Sequence, residues 1–176
     1  MIDFDTEIIV KCKKNDRIAQ MQLYNSFYKR IYNTCFRILR NSIDAEDAMQ
    51  ESFLKAFSHL DTYNESTPFE AWIVRIAINT SIDKLRRKDS NLIELCENIN
   101  YDLSDADDNE EWELIMNKVE QIKTAIEKLP DKNRLIINLY LIEGYDHEEI
   151  AEILNIAPGT ARIQYMRAKQ RLIELI

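Results

Sequence analysis

Trp72, Arg75, Asn79 and Arg86 are spaced so that a helix carries them along one line, with Arg87 and Lys88 directly after. Their chemistry is complementary. An indole offers a flat face for stacking, a carboxamide reads the edge of a base, and guanidinium and ammonium groups hold phosphates. Together they fit a nucleic-acid surface. A structural alternative stands beside that reading. A helix buried on two sides keeps one polar edge in any fold, and a Trp in a helical bundle commonly serves the core.

The stretch that carries these residues, TPFEAWIVRIAINTSIDKLRRK from Thr67 to Lys88, has the marks of such a helix. Thr67 is expected to cap it, Pro68 to take the first helical position, and Glu70 to close a capping box. Phe69, Ile73 and Ile76 fall on one side; Ala71, Val74, Ile78, Ile82 and Leu85 fall on the other. The preceding loop from Asp61 to Ser66, with Tyr63 and Asn64, either holds a ligand at the mouth of the helix or simply connects.

Two further groups stand out. In DAEDAMQESFLKAFSHL, a helix starting at Asp44 turns Ala45, Met49, Phe53, Phe57 and Leu60 inward. Asp44, Asp47, Gln50, Glu51, Leu54 and Ser58 then face out, as a solvated face or a docking surface. Near the C-terminus, Asp146-His147-Glu148-Glu149 is a capping box before IAEIL. Asn155-Ile156-Ala157 is a tight turn, and Pro158 opens a basic helix. That order is a helix-turn-helix pattern. Ala161, Tyr165, Ala168 and Leu172 form its packed side. Thr160, Arg162, Ile163, Met166 and Arg167 face outward, with Gln164 and Arg171 on the flank. The pair is a DNA reader or a plain helical hairpin with a solvated basic face.

These groups need helices to position them, and the composition supplies little else. The chain has 176 residues, two Gly and three Pro, and is rich in helix formers. The expected fold is all-α: two small helical domains joined by an acidic linker, the second holding the helix-turn-helix. Two more helices precede the Asp44 helix. One spans 5–15, with Ile8, Ile9 and Cys12 inward. The other spans 17–40, with a core stripe of Met21, Tyr24, Phe27, Tyr28, Ile31, Cys35, Ile38 and Leu39. After the linker, Trp112, Ile115, Met116, Val119, Ile122, Ile126 and Leu129 form a stripe that Pro130 stops. Asp131 to Glu143 forms another helix, with Leu135, Ile136, Leu139 and Ile142 inward, ending at Gly144. The domains are thus 1–88, a linker at 89–108, and 109–176.

The net charge of −8 is unevenly placed. Residues 1–88 hold 14 Lys/Arg against 12 Asp/Glu, and residues 114–176 hold 9 of each. Residues 89–113 hold 10 Asp/Glu and no Lys/Arg, so both flanks can present basic surfaces. Cys12, Cys35 and Cys96 are widely spaced, which suits reduced thiols rather than a zinc site. His59 and His147 are expected at the surface on helix edges. No phosphate loop, catalytic triad, signal peptide or membrane span is legible. We expect a cytoplasmic protein that is no enzyme, with no metal, cofactor or small-molecule substrate.

Taken in order, DAEDAMQESFLKAF, FEAWIVRIAINTSIDKLRR, the acidic linker and LPDKNRLIINLYLIEGYDHEEIAEILNIAPGTARIQYMRAKQRL resemble bacterial RNA polymerase sigma factors of the extracytoplasmic-function (ECF) type. The resemblance covers nearly the whole chain. It implies a first domain that binds the β′ clamp helices of core RNA polymerase and the −10 element, and a second that binds the β flap and the −35 element. By position, Asp47, Gln50, Glu51 and Leu54 belong to the docking face. Tyr63, Asn64, Trp72 and Asn79 help capture a flipped −10 base, and Arg75, Lys84, Arg86 and Arg87 hold backbone. Thr160, Arg162, Ile163, Gln164 and Arg167 meet the −35 groove and its phosphates. The family habit also implies an anti-sigma factor, membrane-anchored.

This chain departs from the pattern in three places. Ala157 stands where a capping Ser or Thr is usual, Gln164 replaces an arginine, and Ile163 puts an apolar group toward a thymine methyl. Two other functions stay open on the residues alone. A conventional helix-turn-helix regulator would bind duplex DNA without polymerase, as a dimer. A helical adaptor would bind only proteins and show no salt-dependent DNA binding.

Overall fold

The Asp16 carboxylate fixes where the longest helix begins, accepting hydrogen bonds from the amides of Ile18 at 2.9 Å and Ala19 at 3.3 Å. Arg40 ends that helix in the left-handed region at φ 54°. The Asn41 side chain then accepts from the Asp44 amide at 3.0 Å and starts the next. A two-residue link of this kind makes the helices antiparallel neighbours. In a computed structural model, the chain divides into two units, Met1–Asp89 and Ser90–Ile176. The structure describes residues 4–64, 66–88 and 121–176. Cys96, the linker at 89–108 and the stripe positions Trp112, Ile115, Met116 and Val119 lie outside the described residues.

The first unit contains α1 (Phe4–Lys13), α2 (Arg17–Leu39), α3 (Ser42–Ser58), a 3-10 turn (Leu60–Thr62) and α4 (Phe69–Lys88). Helices α2, α3 and α4 pack on one another, and α1 lies against α2 and the 3-10 turn. Ile31, Cys35, Phe53, Phe69, Ile73, Ile78 and Ile82 are buried at the centre. Each Ile and Phe among them contributes about 1.5–3 kcal/mol on leaving water. Ala45, Ala48, Ser52 and Ala56 of α3 are fully buried, as are Ala77 and Ser81 of α4, so small side chains let the helices approach closely. The two serines return their hydroxyls to backbone carbonyls, Ser52 to Ala48 at 2.6 Å and Ser81 to Ala77 at 2.8 Å.

Several expectations need correction here. α3 starts at Ser42 because Asn41 caps it. α4 starts one residue later than expected: the Pro68 carbonyl accepts from the Trp72 amide at 3.2 Å. The Glu70 carboxylate, expected in a capping box, accepts from Arg30 Nε of α2 at 3.3 Å. Met21 is 59% exposed, because Ala19 and Leu23 take the buried positions on that turn. Ala71 is exposed and Ile76 half-buried.

The second unit contains α5 (residues 121–128), α6 (Asp131–Ile137), a π-helical turn (Asn138–Ile142), α7 (His147–Leu154) and α8 (Pro158–Glu174). The buried Arg134 guanidinium ties α6 to the end of the preceding segment. It donates to the Leu129 carbonyl at 2.9 Å and pairs with Asp131. The π turn is closed by the Glu143 amide donating to the Asn138 carbonyl at 3.0 Å. Its extra residue rotates the end of the helix, so Ile142 is 41% exposed rather than inward.

Asp146 and Glu149 form the expected capping box on α7. Asn155, left-handed at φ 54°, turns the chain toward α8. Ala161, Tyr165, Ala168 and Leu172 are buried, and no side chain caps α8 at Ala157.

His147 is half-buried at the start of α7, with one side of its ring turned inward from the surface position expected of it. Its ring lies 4.9 Å from Tyr140 and 5.2 Å from Tyr165, and those two tyrosines are 4.1 Å apart. Its Nδ1 is buried without a hydrogen-bond partner. Burial, seconded by the Arg162 charge, holds the imidazole below its ordinary pKa, while Asp146 opposes this weakly. His59 is exposed. Cys12 and Cys35 are buried, and burial pushes the Cys35 thiol up to about 11, which leaves it inert near neutrality.

The second unit should respond in two ways, both readable by urea unfolding with residue-resolved NMR. Ala157→Ser should raise its stability by about 1 kcal/mol by supplying the missing cap. As pH falls through about 6.5, the unfolded chain protonates His147 before the folded one does, so stability should fall with pH. His147→Phe should flatten that dependence.

Candidate nucleic-acid interface

Burial of α4 on both flanks leaves a single edge outside. Trp72 and Arg75 are half-buried there, Asn79 is exposed, and Arg86 is half-buried further along. The line contains one acid that the cations obscure in sequence: Asp83 is exposed on the same edge, 3.7 Å from Arg86. The indole of Trp72 is backed by an aromatic cluster, with Tyr63 at 5.4 Å and Phe69 at 5.6 Å between ring centroids. Its inner side is therefore fixed by packing while part of it stays open to solvent. That is what a stacking platform requires.

The loop before α4 is held by its own side chains and by one from α1. Tyr63 is buried, sits edge-on to Phe69 at 5.5 Å, and donates its hydroxyl to the Thr67 carbonyl at 2.7 Å. Lys13 of α1 donates to the Tyr63 carbonyl at 3.4 Å. Asn64 is exposed, and its Oδ1 accepts from the Ser66 amide at 3.1 Å and hydroxyl at 2.6 Å. Tyr63 thus shapes the loop; Asn64, Ser66, Thr67 and Pro68 stay exposed, with Trp72 half-buried beside them.

The expected docking residues share the outer face of α3. Asp47 and Gln50 are exposed, Glu51 is half-buried, and Leu54 is 71% exposed, a large apolar group on an acidic face. This face meets the basic end of α4. Lys84 Nζ lies 3.8 Å from Asp47, and Lys88 pairs with Asp44. Within α3, Lys55 lies 2.8 Å from Glu51 and donates to Thr80 of α4 at 3.2 Å. Lys55, with Lys84 and Arg87 adding to it, holds the Glu51 carboxyl below its usual range. Cations expected to hold backbone and acids expected to dock a partner are thus neighbours. Arg87 is exposed.

In the second unit, α8 presents Arg162 and Ile163 to solvent, with Thr160, Gln164 and Arg167 half-buried beside them. The Tyr140–His147–Tyr165 stack braces α8 against α7 and the π turn from behind. Sequence periodicity does not disclose this stack, since its members come from three elements. Among the described residues no group of His, Cys, Asp or Glu is arranged to hold a metal, and no helix is long and apolar enough to cross a membrane.

Comparison with known proteins agrees with both units. Residues 23–91 match the model for Sigma-70 region 2, and residues 119–172 match that for Sigma-70, region 4. The ECF RNA polymerase sigma factor SigW of Bacillus subtilis is 31% identical over 172 residues, covering 93% of this chain and 92% of its own length. The ECF RNA polymerase sigma-E factor of Salmonella typhimurium is 30% identical over 176 residues, covering 96% of this chain and 92% of its own. Among solved structures, CnrH, in complex with the cytosolic domain of CnrY, aligns with a TM-score of 0.57 at 20% identity. It covers 98% of this chain and 97% of that one. The sigma factor RpoE of Bartonella quintana, in complex with the anti-sigma factor NepR, aligns with a TM-score of 0.57 at 22% identity over 88% of this chain and 94% of its own. Both share its fold. On the two region matches and the extent of identity with SigW, the chain belongs to the ECF family of RNA polymerase sigma factors.

Proposed function

We propose that this sigma factor captures the −10 strand on the free edge of α4 and meets the −35 element with α8, after docking on core RNA polymerase through α3. The observation that carries the reading is the half-open indole of Trp72, fixed from behind by Tyr63 and Phe69, with Arg75 and Asn79 on the same line. Drawing a base from a duplex costs a few kcal/mol, and a preformed stacking and hydrogen-bonding site offsets it. Trp72 stacks, Asn79 and Asn64 offer amide groups to the base, and Arg75, Arg86 and Arg87 hold backbone. Tyr63 contributes by shaping the loop. Lys84, paired with Asp47, contributes charge from behind that edge.

Asp47, Gln50, Glu51 and Leu54 form the face that engages the β′ clamp helices, with Leu54 as its apolar anchor. The domains of this reading are 1–88 for polymerase and −10 DNA and 109–176 for the β flap and −35 DNA, joined by the acidic linker at 89–108. On α8, Arg162 and Arg167 hold phosphates, and Thr160, Ile163 and Gln164 face the major groove. Core enzyme supplies much of the DNA affinity, which lets a chain of net charge −8 serve a promoter. The protein acts in the cytoplasm and performs no catalysis itself. Two solved relatives of its fold are complexes with CnrY and NepR, the latter an anti-sigma factor, which supports control by an anti-sigma factor here. A membrane anchor on that partner is the family habit.

Transcription from a random promoter library by core polymerase tests the assignment. Defined starts should appear only when the protein is added. Trp72→Ala with Asn79→Ala should reduce them by about 10- to 100-fold, the size expected from losing one base stack and its amide contact. Starts that the variant leaves intact would remove −10 capture from α4. Leu54→Asp should weaken binding to core enzyme by about tenfold without unfolding the first unit, since the side chain is exposed. Unchanged core affinity would take docking off this face.

A further inference from the structure

We propose that α1 takes part in promoter reading: Lys13 and Tyr63 are positioning residues that pin the loop before α4 and so shape the base pocket beside Trp72. This rests on the −10 reading of α4 and deepens it. α1 lies ahead of the residues matched to Sigma-70 region 2.

The loop is tied through one residue in two directions. The backbone carbonyl of Tyr63 accepts from Lys13 Nζ at 3.4 Å, and its hydroxyl donates to the Thr67 carbonyl at 2.7 Å, at the mouth of α4. Its ring meanwhile packs against both Phe69 and Trp72. Lys13 is itself held in place. The adjacent Cys12 and nearby Ile9 are 2% and 1% exposed, and α1 packs on α2 and on the 3-10 turn that leads into Tyr63. The position of α1 is therefore passed to the loop through a long Lys13 hydrogen bond and the packing of α1 on the 3-10 turn.

The consequence concerns order rather than contact. A base leaving its stack must meet a pocket that is already formed, because a loop that orders only on binding adds its entropy cost to that of unstacking. Tyr63→Phe keeps the ring in the aromatic cluster and removes the hydroxyl. Lys13→Met keeps most of the length of the side chain and removes the donor. Each change frees one tie and leaves the Trp72 and Asn79 side chains in place.

The test uses holoenzyme assembled from core polymerase and the full chain. The DNA is a fork junction carrying the −10 sequence that the wild type selects from a random library, and the same DNA made abasic at each −10 position in turn. The wild type should lose affinity most at one abasic position. Tyr63→Phe and Lys13→Met should bind the intact DNA about fivefold more weakly, the size of one lost hydrogen bond. The penalty at that one position should shrink in both, while core affinity stays at the wild-type value and the thermal midpoint falls by no more than the few degrees that one lost hydrogen bond costs. Lys13→Arg, which keeps a cationic donor, should restore the discrimination. Variants that weaken every DNA equally, change only the thermal midpoint, or discriminate as the wild type does would overturn the inference and leave the −10 reading intact. A wild type with no position-dependent loss would overturn both.

Discussion

Packing α4 between α2 and α3 takes Phe69, Ile73, Val74, Ala77, Ile78, Ile82 and Leu85 out of water and leaves one narrow edge outside. The helix cannot rotate without exposing one of its two apolar flanks, at about 1.5–3 kcal/mol for each large side chain. The direction in which Trp72, Arg75 and Asn79 point is therefore set by the core and not by the residues themselves. The same packing sets the tilt of the indole, since Phe69 belongs to the core and Tyr63 closes over it. A rigid edge of this kind suits a ligand that must be caught in an unstable conformation.

The second unit solves a different problem with different means. Helix α8 lacks a side-chain cap and begins on Pro158, so its position depends on what lies behind it. Ala161, Ala168 and Leu172 supply the apolar seat, and Tyr165 carries the stack with Tyr140 and His147. The π turn after α6 widens the helix where Tyr140 leaves it. Both units thus keep polar, exposed side chains on a surface whose aim comes from buried aromatic contacts. On the proposed reading, one aims at an unpaired strand and the other at a duplex groove.

Much of this is legible in sequence, and the remainder has physical reasons for being hidden. The capping box of α7, the turn at Asn155 and the packed side of α8 stand out because each is a local pattern of a few residues. The two flanks of α4 stand out through large apolar side chains. Small buried residues such as Ala48, Ser52, Ala56 and Ser81 carry no such signal, although they decide how closely the helices approach. The π turn is invisible to a 3.6-residue period, and it misplaces Ile142. His147 reads as a surface residue because its aromatic neighbours come from distant positions. At the candidate site, the line of Trp72, Arg75 and Asn79 emerges from periodicity, whereas the buried state of Tyr63, the reach of Lys13 from α1 and the pairing of Lys84 with Asp47 need three dimensions.

The central claim is that the first unit reads a base only after it has left the duplex. The most direct measurement is the affinity of the holoenzyme for the −10 sequence as non-template single strand, as template single strand and as closed duplex, at one salt concentration. The non-template strand should bind at least tenfold more tightly than the other two, as expected where a stacking contact worth about 1–3 kcal/mol is available only to an unpaired base. Equal affinity for the closed duplex and the non-template strand would contradict it.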